Sequence, residues 1–69
     1  MSKTLEELGY EKREDRYATE YAHEELNTEI VFSKASKNVA IRDEYGAYQY
    51  ISVEELKAIY KYCEDNKWI

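Results

Sequence analysis

YEKREDRYATEYAHEEL, residues 10–26, is the stretch on which the fold turns. Its letters satisfy two periods at once. Tyr17, Thr19, Tyr21 and His23 alternate as a strand would place them, on one face of a sheet. Tyr10, Tyr17 and Tyr21 also fall near one face of a helix, and the Glu, Lys, Arg and Ala around them favour helix on propensity alone. The neighbouring segments weigh the other way. TEIVFSK (28–34) sets Ile30 and Phe32 on one face and Val31 on the other, and NVAIRD (38–43) does the same with Val39 and Ile41. The polar Ala35–Asn38 between them reads as a hairpin turn. A lone hairpin is marginal in water, whereas a third strand from residues 15–23 makes a face worth covering. Strand is therefore the expectation.

The cover comes from ISVEELKAIYKYC, residues 51–63. Ser52 with Glu55 three residues on is a capping box, so a helix starts there. At 100° per residue Val53, Leu56, Ile59, Tyr60 and Cys63 fall within an arc of about 120°. Glu54, Lys57, Lys61 and Asp65 sit opposite. The apolar stripe is expected to lie over Ile30, Phe32, Val39 and Ile41. TLEELGY (4–10) reads as a short N-terminal helix stopped at Gly9, with Leu5 and Leu8 as its apolar pair. DEYG (43–46) reads as a turn and AYQYI (47–51) as a further extended segment. The expectation is a single α+β domain over 1–69. It has a short N-terminal helix, a three- or four-stranded antiparallel meander, and a C-terminal amphipathic helix on one sheet face.

At 69 residues one core supplies only about 3–5 kcal/mol, so small scaffolds of this kind often need a staple. The lone Cys63 cannot form a disulfide within the chain, which leaves self-association, a homodimer, as the staple. The opening MSKTLEELGY has no apolar core of a secretory signal, and no run approaches the length that crosses a bilayer. A bacterial cytoplasmic location and no membrane partner are the corresponding expectations. The net charge is −5, and residues 1–29 carry nine acids against four bases. Lys34, Lys37 and Arg42 form a small basic stretch with no acid over 30–42. That balance disfavours binding to phosphate backbones, so direct nucleic-acid binding is not expected.

LEELGYEK (5–12), IVFSK (30–34), ISVEELKAI (51–59) and Trp68 together resemble small uncharacterised proteins of phages and prophages of Gram-positive bacteria. In those chains an LxELGYEK opening leads into strands, an ITMEEL-like helix start and a terminal Trp. The resemblance spans nearly the whole chain, but its matched residues are caps, turns and core positions. It implies an accessory protein acting inside a bacterial host, supports strand over 15–23, and names no target. AHEELNTE (22–29) and KYCEDNKW (61–68) depart from the pattern.

Candidate chemistry is sparse. His23 with Glu24 and Glu25 falls short of HExxH because position 27 is Asn27, so it reads as a solvated histidine. Cys63 on the helix stripe reads as a buried thiol. No catalytic residue, cofactor or metal is expected, and no enzyme. Eight tyrosines exceed what one small core can hold, and tyrosine suits half-exposed interfaces. Glu11, Glu14, Asp15, Tyr17, Tyr21, Tyr45, Tyr48 and Tyr62 are the candidate partner-binding residues. The favoured reading is a phage accessory protein that inhibits a host defence or nucleic-acid-handling protein through an acidic, Tyr-rich surface; its partner is a host or phage protein. Two alternatives stand beside it: an oligomeric sponge for a nucleotide signal, using tyrosines with Lys34, Lys37 or Arg42, and a structural or regulatory phage factor.

Overall fold

The structure, a computed structural model, describes residues 3–43, 45 and 50–69. Four antiparallel strands follow one another in space as in sequence: β1 (Glu11–Glu14), β2 (Ala18–His23), β3 (Thr28–Ser33) and β4 (Asn38–Arg42). One helix, α1 (Val53–Asp65), lies over one face. The chain is α+β, with a four-stranded meander and a C-terminal helix.

Residues 10–26 supply two strands rather than one. Asp15 divides them. Its carboxylate accepts the backbone N–H groups of Tyr17 at 2.7 Å and Ala18 at 2.8 Å, which folds the chain back on itself. Glu14 then pairs with Thr19, and Glu11 with Ala22. Tyr10 and Tyr21 are buried while Tyr17 is 70% exposed at the turn, so the helical alignment of the three is not used. Within the sheet, Tyr21, Ile30 and Ile41 lie side by side on the covered face, as do Thr19, Phe32 and Val39. The opposite face is polar, with Arg42 held between Glu29 at 3.3 Å and Glu20 at 3.9 Å. The Ala35–Asn38 turn forms where expected, with Lys37 in the left-handed region at φ 53°. Of AYQYI, residues 47–49 lie outside the described residues; Tyr50 and Ile51 are not in a strand.

The short N-terminal helix is not formed. Thr4 and Glu7 do satisfy each other like a capping box, with Thr4 Oγ1 accepting from the Glu7 N–H and Glu7 Oε1 from the Thr4 N–H. Yet the segment makes only turns before Gly9 turns the chain away at φ 101°. One turn fixes several residues for few hydrogen bonds, and nothing propagates beyond it to recover that cost. A Cβ at Gly9 would also sit 2.7 Å from His23 Nε2, so that ring would have to shift, and the φ by itself favours glycine.

Helix α1 begins as read, with the Ser52–Glu55 capping box complete. It is rotated away from the expected stripe. Glu55, Ala58 and Ile59 are buried, and Tyr62 packs against the core; Val53 (67% exposed), Leu56 (56%) and Tyr60 (57%) face outward. Of the expected stripe only Ile59 is buried, with Cys63 half-buried beside it. Three contacts account for the rotation. Ala58 is small enough to let the helix approach, and the Tyr62 ring stacks on Phe32 at 3.8 Å between centroids. The Glu55 carboxylate also takes a hydrogen bond from the Tyr10 hydroxyl. The helix ends with Lys67 left-handed at φ 58°, the Lys67 N–H bonded to the Glu64 carbonyl and the Trp68 N–H to the Cys63 carbonyl. That Schellman ending returns the Trp68 ring to Phe32 and Tyr62.

Candidate functional site

The inner face of β1 continues the sheet beyond the region α1 covers. The register sets Lys12 beside Tyr21 and Glu14 beside Thr19. Above that edge stands the N-terminal turn with Leu5 and Glu6, and α1 brings Ala58, Lys61, Tyr62 and Asp65 to the other side. A cavity of about 200 Å³ lies between them. Its apolar parts are Leu5, Ala58 and the Tyr21 and Tyr62 rings, which meet edge to face at 6.0 Å. Charged side chains from all three elements line the rest.

The charges are mostly matched. Glu14 takes a 3.0 Å bond from Lys34 and lies 3.8 Å from Lys12; its hydrogen bond to Lys34, with the charge of both lysines, holds its carboxyl below the ordinary range. Lys61 reaches Asp65 at 3.5 Å, one helical turn on. Glu6 makes no ion pair among the described residues. Tyr21 is 5% exposed, and its hydroxyl has no hydrogen-bond partner among the described residues. Burial, followed by the charge of Glu6, pushes that phenol up to about 12.

The residues singled out from sequence divide into three groups. Glu14, Tyr21 and Tyr62 come together at the cavity. Tyr21 is corrected from a surface position to a core one, because its ring packs edge-on against Phe32 and leaves the residue 5% exposed. Tyr62 is likewise half-buried by its stack on Phe32. Glu11, Asp15 and Tyr17 lie on the adjoining edge strand and turn, all exposed, with the Arg16 guanidinium 6.0 Å from the Tyr17 ring centre. Asp15 is committed to its turn, and the two backbone N–H groups it accepts hold its carboxyl below the usual range. Tyr45, 85% exposed, does not line the cavity, and Tyr48 lies outside the described residues. Sequence reading passed over Glu6, Lys12, Lys61 and Asp65; the spacing of Lys61 and Asp65 marks a helix-surface pair, but nothing in it points to Tyr21.

The cations of the nucleotide reading are dispersed. Lys34 is tied to Glu14 and to the Asp15 carbonyl, Arg42 to the outer sheet face, and Lys37 lies in the β3–β4 turn. Small-molecule sites usually enclose about 300–1,000 Å³, more than this cavity holds. His23 Nδ1 accepts the Leu26 N–H at 3.2 Å, and burial raises the Cys63 thiol above its ordinary value. Among the described residues no group of three His, Cys, Asp or Glu side chains could hold a metal, and no helix is long and apolar enough to cross a membrane.

The raised phenol has a measurable consequence. Tyr21 is neutral and folded together below pH 10, and its contribution to stability is lost as pH rises from about 10 towards about 12. In an alkaline titration followed by ultraviolet absorbance, Tyr21 is expected to ionise in a late phase. Tyr21→Phe should reduce that late phase; an unchanged profile would contradict the placement.

Comparison with protein-family models, with curated proteins and with solved structures gives no match.

Proposed function

We propose that this chain, acidic as a whole, is a non-enzymatic binding domain that docks on a protein surface through the charged β1 edge and the β1–β2 turn, and blocks that surface. The observation that carries the reading is the Asp15 turn. Two hydrogen bonds fix it, and it presents Tyr17 outward at the end of the exposed β1 edge, with the Arg16 guanidinium 6.0 Å from its ring. An exposed tyrosine on a fixed turn, among charged side chains, is the composition of an interface anchor, since little backbone freedom is lost on docking. The engagement of the thiol and the imidazole elsewhere fits a non-catalytic role: the Cys63 thiol packs against the core, and His23 accepts the Leu26 backbone N–H. The resemblance to phage and prophage proteins supports a partner in a Gram-positive bacterial host, and net acidity fits a target whose own groove binds nucleic acid. Val53, Leu56 and Tyr60 occupy the flank of α1 away from the cavity, so a homodimer through them would leave the β1 edge open.

The test is affinity capture from a Gram-positive host lysate, with the retained protein identified and its salt dependence measured. A specific partner should be held at about 0.05 M salt and released by about 0.5 M, where screening shortens to a few ångströms. Glu11→Lys combined with Tyr17→Ala should abolish retention and leave the fold intact, because neither side chain contributes to the core. Asp15 is unsuitable for charge reversal because it holds the turn. A partner retained equally by that variant and at high salt would refute the reading.

A further inference from the structure

We propose that the cavity between β1, the N-terminal turn and α1 receives a cationic N–H donor group, an ammonium or guanidinium, presented as a Lys or Arg side chain of the docked partner. This rests on the docking reading above and adds the residue class that would anchor it. Three observations lead there. The first is size: about 200 Å³ accommodates one extended side chain and is too small for a nucleotide.

The second is the Tyr21 hydroxyl. The residue is 5% exposed and lines the cavity, and its hydroxyl, without a protein partner among the described residues, is not sealed from solvent. A hydroxyl so placed is open to an incoming hydrogen-bonding group. Glu6 and Glu14 both act on it electrostatically, so the group that joins it is favoured if positive.

The third is the charge balance. Lys61 already faces Asp65, and Glu14 is shared by Lys34 at 3.0 Å and Lys12 at 3.8 Å. Glu6, on the same rim, makes no ion pair among the described residues. An anion entering the cavity would compete with Glu14 and Asp65 for those lysines and would also face Glu6. A cation meets Glu6 and the Tyr21 oxygen as acceptors, with the Tyr21 and Tyr62 rings beside it, a setting that suits guanidinium in particular. Glu14 joins this site to the docking edge, since it lines the cavity and lies between Glu11 and the Asp15 turn.

The experiment is a titration of the labelled protein with N-acetyl-arginine N-methylamide, followed by nuclear magnetic resonance, with the uncharged citrulline analogue as control. Saturable shifts are expected at Glu6, Tyr21, Ala58 and Tyr62 with the arginine amide and not with citrulline. Glu6→Gln, which alters an exposed side chain, should weaken binding about tenfold, as should Tyr21→Phe, which keeps the ring. Equal response to citrulline, or loss of binding in Lys12→Gln with Glu6→Gln unaffected, would overturn the proposal. Tighter binding of spermidine than of the arginine amide would overturn the side-chain assignment in favour of a free polyamine. The docking reading fails separately, by partner retention that survives Glu11→Lys with Tyr17→Ala, while the titration still reports on the cavity.

Discussion

Phe32→Ala is expected to leave the protein largely unfolded at room temperature. Phe32 is wholly buried, stacked on Tyr62 and met edge-on by Tyr21 at 5.8 Å and Trp68 at 6.1 Å. One ring thus joins β2, β3, α1 and the C-terminal return. Truncating a buried phenylalanine costs about 3–5 kcal/mol, because the cavity left behind adds to the lost transfer energy. At 69 residues a single core supplies only about 3–5 kcal/mol. The loss therefore consumes most or all of the stability. Urea denaturation read by Trp68 fluorescence and by far-ultraviolet circular dichroism would measure it. Trp68 is the only tryptophan and touches Phe32 directly, so both signals should already be non-native without denaturant. A cooperative transition displaced by less than about 1 kcal/mol, the scale of a tolerated surface change, would contradict the packing described.

Glu55→Ala is the second large effect. The side chain closes the capping box through the Ser52 N–H at 2.7 Å and accepts the buried Tyr10 hydroxyl. Its loss removes a helix cap and takes the acceptor away from the buried Tyr10 hydroxyl, a combined cost of about 2–4 kcal/mol. The same residue imposes an acid limit. Burial pushes the Glu55 carboxyl up, but hydrogen bonds from Ser52 and Tyr10, with the charge of His23, together bring it below the ordinary 4.5. A carboxyl depressed in the folded state stabilises above its unfolded value and loses that contribution as pH falls through the folded one. Stability should therefore decline below about pH 4.5. Glu55→Gln retains the shape and should flatten that part of the acid limb; a Gln variant with the parent's full acid dependence would show that other carboxylates carry it.

What the sequence disclosed follows from what each signal measures. The start of α1 was legible because the capping box is local, and β3 and β4 because their alternation is. The rotation of α1 was not. Hydrophobic periodicity weights Val53, Leu56 and Tyr60, whereas the contact is made by a small residue, Ala58, a polar one, Glu55, and the Tyr62 ring. These are choices of tertiary fit that a one-dimensional moment cannot register. The Asp15 turn was missed because it contains no Gly, Pro or Asn, and an aspartate accepting backbone N–H groups leaves only a faint mark in composition. The return of Trp68 was hidden in the same way, with Lys67 where glycine is usual. Of the cavity, Glu14, Tyr21 and Tyr62 were picked for charge and surplus aromatic content. Their meeting depends on strand register and helix rotation together, so Glu6 and Lys12 could not be associated with them beforehand.

The measurement that bears most directly on the account is a nuclear magnetic resonance determination of residues 10–26. Every later step needs the hairpin that sets Lys12 and Glu14 beside Tyr21, and the helix face that brings Tyr62 to it. Extended-backbone shifts over 11–14 and 18–23, a break at Asp15–Tyr17, and nuclear Overhauser contacts from the Tyr21 ring to both Phe32 and Tyr62 are the expected result. Helical shifts running unbroken through residues 10–26, with no contact between the Tyr21 and Tyr62 rings, would contradict the fold, the cavity and the site built on it.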